Sequence, residues 1–237
     1  PMSARRQRQM CIRDSIKSIL IQLVNSAAFV AILYASYLLI LLSLPYIHFE
    51  PNIEFLGTKQ LIYHIDLWRI SFYVHVFTSP IVILAGLLQF NRWIIRKHPR
   101  THRGLGYAYI VTVLLISGPS ALVMSFYANG GRVAQTSFVL LTFVWIITTG
   151  IAFLKAKKGN YLSHTKWNIR SYAITLSAVT LRFYAYLFDV FEVRMGPKET
   201  YILLAYLSWI PNLLVAEILI VAKYPQALLK ASQQNPN

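Results

Sequence analysis

Residues 136–154 read TSFVLLTFVWIITTGIAFL, an apolar run without a charged side chain. At about 1.5 Å of rise per residue, a helix of this length nearly spans the ~30 Å hydrocarbon core of a bilayer. Similar apolar runs lie at 19–44, 70–90, 105–128, 172–191 and 201–222. Because a helix satisfies its own backbone hydrogen bonds in lipid, the pattern predicts an all-α integral membrane protein, a polytopic bundle of six transmembrane helices.

The composition excludes the soluble fold classes. Hydrophobic residues make up 56% of the chain and charged residues 13%, a balance typical of membrane proteins. The sequence contains no P-loop, dinucleotide fingerprint or nucleophile elbow, so it predicts no enzyme class.

The first 15 residues need an interpretation different from that of the apolar runs. Residues 5–15 read RRQRQMCIRDS, which matches an in-frame translation of a sequencing adapter. We therefore expect residues 1–15 to be a non-native segment, which is excluded from the fold argument. The only cysteine, Cys11, lies in this segment, so no disulfide or thiolate metal site is expected. The remaining chain is predicted to form one transmembrane domain at 16–223 and a short cytoplasmic tail at 224–237.

Basic residues cluster on one face of the membrane, which we call the basic end. They are Lys17, Arg92, Arg96, Lys97, Arg100, Arg103, Lys155, Lys157, Lys158, Lys166, Arg170, Lys223 and Lys230. On the opposite face, the acidic end, lie Glu50, Glu54, Asp66, Asp189, Glu192 and Glu199. The positive-inside rule predicts that the basic end and both termini are cytoplasmic. Anionic inner-leaflet lipids are the expected partner of this charge, and no nucleic acid is needed to explain it.

Two histidines at the basic end are candidate cofactor ligands. His102 and His164 each stand just before a predicted helix, at the same depth. Neutral imidazole is the commonest metal ligand and an axial ligand of haem, so the pair could hold a haem b iron or another metal ion. The alternative is an interfacial role, in which each ring bonds lipid phosphate or helix-end backbone.

His75 is a candidate for a different site. It lies about 22 Å from the basic end by helix rise, so it cannot share an ion with His102 or His164. An ionisable residue inside the membrane suggests a function, here proton transfer or ligation. A hydrogen-bonded anchor between helices is the structural alternative.

Buried charges in the last two runs predict a polar network. Arg182 lies about 16 Å from the basic end and Glu217 about 9 Å, a difference that an arginine side chain can bridge. An unpaired charge at such depth costs roughly 2.5–3.5 kcal/mol, so we expect the two to pair. Asn212 lies near the depth of Arg182, and we expect a buried polar network of Arg182, Asn212 and Glu217. Its role as a structural lock or as a functional site stays open.

Prolines and glycines interrupt three of the runs near mid-membrane. The interruptions are Ser79-Pro80, residues 117–120 (SGPS) and residues 209–212 (WIPN). Broken helices at this depth either shape the packing or expose backbone groups to a transport cavity.

Several short motifs together resemble a known family. They are GLLQF at 86–90, HRGLGY at 102–107, NIRSYA at 168–173, TLR at 180–182 and PNLLVAE at 211–217. Over about residues 68–217 the chain resembles the bacterial membrane proteins of domain of unknown function 2306. The resemblance implies a multi-pass protein of the bacterial inner (cytoplasmic) membrane. It also implies that His102, Arg103, Arg170, Arg182 and Glu217 belong to the family pattern, without naming an activity.

Two functions therefore remain open at this level. One is a b-type haem or metal-binding redox protein with ligands at the cytoplasmic side. The other is a small-molecule or ion transporter, or a membrane accessory subunit, that uses the mid-membrane polar groups. The sequence identifies no protein partner.

The orientation is directly testable with fused reporters. A cytoplasmic reporter placed after Asn237 should be active, and reporters near Glu54 and Glu192 should behave as external, because the basic loops stay inside. An external C-terminal reporter would contradict this orientation.

Overall fold

The structure is a computed structural model that describes the backbone of residues 4–233 and the side chains of residues 19 and 22–230. It is helical, with no strand among the described residues. The helices are α1 (Ala4–Ser43), α2 (Asp66–Gln89), α3 (Arg92–Lys97), α4 (Pro99–Val111), α5 (Gly118–Ser125), α6 (Gly131–Lys157), α7 (Tyr161–Thr175), α8 (Ser177–Val190), α9 (Pro197–Leu207), α10 (Ile210–Val221) and α11 (Tyr224–Gln233). Two 3₁₀ segments, Leu44–His48 and Glu54–Lys59, and a π-helical segment, Thr112–Ser117, complete the described elements.

Several helical segments are long and apolar enough to cross a membrane. Five spans meet this condition: Gln22–His48, Asp66–Gln89, Pro99–Ser125, Gly131–Lys157 and Pro197–Val221. The pair α7 and α8 forms a sixth if it is counted as one span bent by 40°. The prediction of a polytopic all-α membrane protein is confirmed.

Helix α7 differs most from its predicted bounds. Hydropathy predicts a start near Tyr172, whereas the helix begins at Tyr161. Asn160 caps this start by accepting from the Ser163 N–H at 3.1 Å. Residues 161–171 are too polar to be recognised as part of a span, yet they pack closely against α6. The helix then breaks at Leu176, where α8 takes a new direction.

The three expected interruptions have different outcomes. Helix α2 runs without a break through Pro80, so the predicted interruption there is wrong. In the turn before Pro80, the Thr78 and Ser79 hydroxyls donate to the carbonyls of Val74 and His75, so these polar side chains are satisfied within the helix. The π-helical segment directly precedes Gly118, and α9 and α10 are separated at Ser208 and Trp209, as the other two motifs predict.

One apolar core joins α2, α4, α6 and α7. Its buried residues are Val82, Ala85, Leu87, Tyr109, Val113, Trp145, Tyr172 and Ile174. Helices α2 and α7 approach closely at Gly86, where a Cβ atom would lie 2.5 Å from the Tyr172 ring. The Tyr172 hydroxyl donates to the Ile83 carbonyl at 3.1 Å, so this contact is polar as well as steric. A glycine is therefore required at position 86.

A second apolar cluster holds the loop at the acidic end. The buried residues are Tyr46, Leu56, Trp68, Phe72 and Tyr73. Lys59 fastens this loop to the turn before α6, since its Nζ donates to the Tyr127 carbonyl and to Asn129 Oδ1, each at 2.6 Å. Lys59 is only 4% exposed, and burial lowers its pKa to about 8.

The terminal segments are partly described. Helix α1 begins at Ala4, so its backbone includes residues 4–15 of the segment expected to be non-native, and residues 1–3 lie outside the described residues. The expected tail contains α11, and residues 234–237 lie outside the described residues.

The buried lysine predicts an unusual pH dependence. The ordinary lysine pKa of 10.5 applies to the unfolded chain, which therefore binds more protons than the folded chain between pH 8 and 10.5. The Lys59 contribution to stability should rise across this window as pH increases. Thermal unfolding from pH 7.5 to 10 should show a rise that Lys59→Met abolishes. The exposed Lys198→Met is the matched control, and an identical pH slope in both variants would contradict the assignment.

Candidate functional site

A small cavity lies near the basic end, where four helices meet. Its lining residues are Gln89 of α2, Gly106, Tyr109 and Ile110 of α4, Thr149 and Ala152 of α6, and His164 and Asn168 of α7. The volume is about 20 Å³, which is the space of a water molecule rather than of an organic ligand. Motif stretches 86–90, 102–107 and 168–173 each contribute a lining residue.

The His164 ring is held in one tautomer. Its Nδ1 lies 2.8 Å from the Ala152 carbonyl oxygen of α6. A carbonyl oxygen only accepts, so Nδ1 carries the proton and donates it. In the neutral ring, Nε2 therefore has a free lone pair. A histidine fixed in this way is prepared either to accept a proton or to bind a metal ion at Nε2.

His102 lies near the start of α4, and its ring interacts electrostatically with that of His164. Its backbone carbonyl accepts from Gln89 Nε2 at 3.0 Å, which ties the start of α4 to the end of α2. Its ring Nδ1 is buried and has no hydrogen-bond partner among the described residues. The structure thus brings together the two histidines that the sequence singled out, while Arg103 next to His102 is exposed.

A haem does not fit in the cavity beside His164, and His102 is not among the residues that line this cavity. The cavity of about 20 Å³ admits no macrocycle. Its inner wall is formed by Tyr109 and Thr149, whose hydroxyls belong to a closed hydrogen-bond network. The described part of the chain also holds no group of three or more His, Cys, Asp or Glu side chains arranged for a metal ion. We therefore derive no chemistry through haem at this position.

A buried network of hydroxyls extends from the cavity into the bundle. The Tyr109 hydroxyl lies 2.7 Å from both Ser171 Oγ and Thr175 Oγ1. Ser171 Oγ lies 2.6 Å from Thr149 Oγ1, and Trp145 Nε1 donates to Thr175 Oγ1 at 2.9 Å. Side chains of α4, α6 and α7 are thus linked in an otherwise apolar core. Hydroxyls that both donate and accept form networks stronger than isolated pairs.

The sequence pattern does not predict this hydroxyl network. Tyrosine near a helix end is typical of the membrane interface, and it predicts a different location for Tyr109 than the core that the structure gives it. The available signal was the cluster of small hydroxyl residues inside apolar runs, such as Thr148 and Thr149. In lipid such side chains need a partner, either a carbonyl one turn earlier or a group on another helix.

The buried charge pair was predicted with the wrong arginine. Glu217 pairs with Arg170: its two carboxylate oxygens lie 2.5 Å from Nε and 2.8 Å from Nη2. The early start of α7 places Arg170 inside a helix, at the depth of Glu217. Arg182 lies about 18 Å further along by helix rise and beyond the bend at Leu176. The Arg170 guanidinium also stacks 4.7 Å from the Trp167 ring.

Asn212 joins the two broken spans instead of joining the charges. Its Nδ2 donates to the carbonyls of Ala173 and Ser208 at 3.1 Å and to Thr180 Oγ1 at 3.0 Å. These acceptors flank the break between α7 and α8 and the break between α9 and α10. One amide therefore satisfies oxygens at both interruptions, and the expected network of Arg182, Asn212 and Glu217 is divided into separate contacts.

Polar groups also meet in the half of the bundle towards the acidic end. His75 Nδ1 lies 3.2 Å from the Ser117 carbonyl at the end of the π-helical segment, so it donates there. Ser117 Oγ lies 2.5 Å from Thr78 Oγ1. Arg182 interacts electrostatically with His75, and its Nη1 donates to the Ala178 carbonyl at 2.8 Å.

Residues 72–220 match the family described as predicted membrane protein (DUF2306). The matched segment covers more than half of the chain and contains the cavity, the hydroxyl network and the Arg170–Glu217 pair, so the chain belongs to this family. No curated protein and no solved structure matches the chain.

The pairing of Arg170 with Glu217 can be measured by a double-mutant cycle. The side chains are 21% and 45% exposed, so the coupling energy should lie between that of surface and buried pairs, at about 1–3 kcal/mol. Thermal unfolding of Arg170→Gln, Glu217→Gln and the double variant gives this energy. The more exposed pair Asp66 and Arg69 is the control and should give less than about 1 kcal/mol. Additive effects of the Arg170 and Glu217 changes would refute the pairing.

Proposed function

We propose that this DUF2306 protein moves protons across its membrane and that the cavity at the basic end is the site of proton exchange. The observation that supports this proposal is the position of His164. His164 lines a cavity of water size, and two other residues of the same lining, Tyr109 and Thr149, belong to a network of buried hydroxyls.

The imidazole of His164 suits the first step of the proposed path, the exchange of a proton at the basic end. With Nδ1–H donated to the Ala152 carbonyl, the neutral His164 ring can take a proton at Nε2 and release one again without leaving its place. The neighbouring His102 offers a second buried ring nitrogen at the same end. Chains of ionisable groups inside membranes are typical of proton relays.

The hydroxyl network suits the second step. Ser171, Tyr109 and Thr175 each bear a proton and accept another, which is what a relay of hydrogen bonds requires. Further polar groups follow towards the acidic end: the buried Thr112 of the π-helical segment, the Ser117–Thr78 hydroxyl pair and His75. In the proposed path these groups follow the hydroxyl network, and π-helical turns are frequent at functional sites.

Small-molecule transport is less well supported than proton transfer. The cavity holds about 20 Å³, which suits a water molecule or a proton carrier but no organic substrate. At the breaks around Asn212, its amide nitrogen is engaged in hydrogen bonds to Ala173, Thr180 and Ser208.

Proton flux into proteoliposomes tests the proposal. Purified protein is reconstituted into vesicles containing a pH-sensitive dye, and a potassium gradient with valinomycin supplies the driving potential. We expect flux above that of protein-free vesicles. His164→Ala and Tyr109→Phe should each lower it at least about tenfold, since each removes a proton-transfer group.

The exposed His48→Ala is the matched control and should leave the flux unchanged. Equal flux in His164→Ala and the unmodified protein would exclude the cavity as the exchange site. Flux no greater than in empty vesicles would overturn the proposed function.

A further inference from the structure

Arg182 carries a charge inside a membrane-spanning segment without an ionic partner. Ion pairs in the described part of the chain join Asp66 to Arg69, Arg170 to Glu217 and Glu192 to Arg194, and none includes Arg182. A guanidinium has five N–H donors, and among the described residues Arg182 donates from Nη1 alone, to the Ala178 carbonyl. Within this part of the chain most of its hydrogen-bonding capacity is thus unused.

The side chain does not extend towards the lipid headgroups. Because it bonds Ala178, one turn earlier, the guanidinium points towards mid-membrane and away from the end of α8 at Val190. Val190 lies about 18 Å beyond Ala178 along the helix axis. An arginine that extended to the acidic-end interface for solvation would point the other way.

The groups near Arg182 come from several helical elements. Arg182 is exposed on α8, and α1 contacts both α8 and α2. Arg182 interacts electrostatically with Tyr46 and with His75 of α2. The Tyr46 oxygen accepts from the Phe55 N–H at 3.3 Å, so its own O–H can still donate. The carboxylate nearest to Tyr46, that of Glu54, is exposed in the loop and forms no ion pair with Arg182.

We propose that Arg182 binds an oxyanion, a carboxylate or a phosphate, beside α8, on the side where α1 contacts both α2 and α8. The planar guanidinium matches the two oxygens of such a group in bidentate geometry, and a bound anion would neutralise a charge that the protein leaves unpaired. The inward direction of the side chain favours a free oxyanion over the phosphate of a lipid. This site does not depend on the proposed proton transfer.

Thermal stability of the detergent-purified protein provides the first readout. Potassium acetate or potassium phosphate, compared with potassium chloride at equal ionic strength, should raise the unfolding midpoint by about 2–4 °C at several times the dissociation constant. Arg182→Gln should lose this rise. Arg182→Lys, which keeps the charge but not the fork, should show a reduced rise and provides the measurement if the glutamine variant does not fold. Arg132→Gln, an exposed arginine at the acidic end, is the matched control and should respond as the unmodified protein does.

Native mass spectrometry of the same samples separates the two sources of the oxyanion. Loss of the acetate or phosphate response in Arg182→Gln, with co-purified phospholipid unchanged, supports a free oxyanion. Loss of one phospholipid per chain supports the site with a lipid phosphate as its ligand. If the unmodified protein and both Arg182 variants agree in salt response and in lipid content, the site is refuted.

Discussion

Within the bilayer, every polar group of this protein has to find its hydrogen-bond partner inside the protein, and this constraint explains most of its polar contacts. Helix breaks expose carbonyl oxygens that lipid cannot satisfy. Asn212 supplies hydrogen bonds at both breaks, since its amide nitrogen donates to Ala173, Thr180 and Ser208. Ser137 does the same for the Ala205 carbonyl at 3.0 Å. The broken spans are therefore held in one arrangement by a few polar side chains.

Lys59 and Arg170 also have their partners inside the protein, whereas Arg182 differs. Lys59 is buried but bonded to two oxygens, and Arg170 neutralises Glu217 while stacking on Trp167. Arg182 alone among these cations has a single backbone oxygen as its hydrogen-bond partner. A charge within a membrane-spanning segment is costly without a counter-ion, which is why we propose a ligand for Arg182.

The two ends of the bundle differ in what they offer. Near the basic end, family motifs converge on a water-sized cavity with His164 and Gln89 in its walls. Near the acidic end, His75 and Arg182 share an electrostatic environment. The hydroxyls around Tyr109 and those near the π-helical segment form two separate sets of polar contacts in an otherwise apolar core.

Hydropathy alone determined the approximate place of the spans, because roughly 20 apolar residues cross a bilayer only as a helix. Their number is five, or the predicted six if the bent pair of α7 and α8 is counted as one span. It also singled out His102, His164 and Glu217, since ionisable residues stand out in an apolar chain. It could not extend α7 back to Tyr161, because residues 161–171 are helical through packing on α6 and not through apolar character. The partner of Glu217, the continuity of α2 through Pro80 and the network around Tyr109 depend on which helix faces meet, and that was decided only by the tertiary structure.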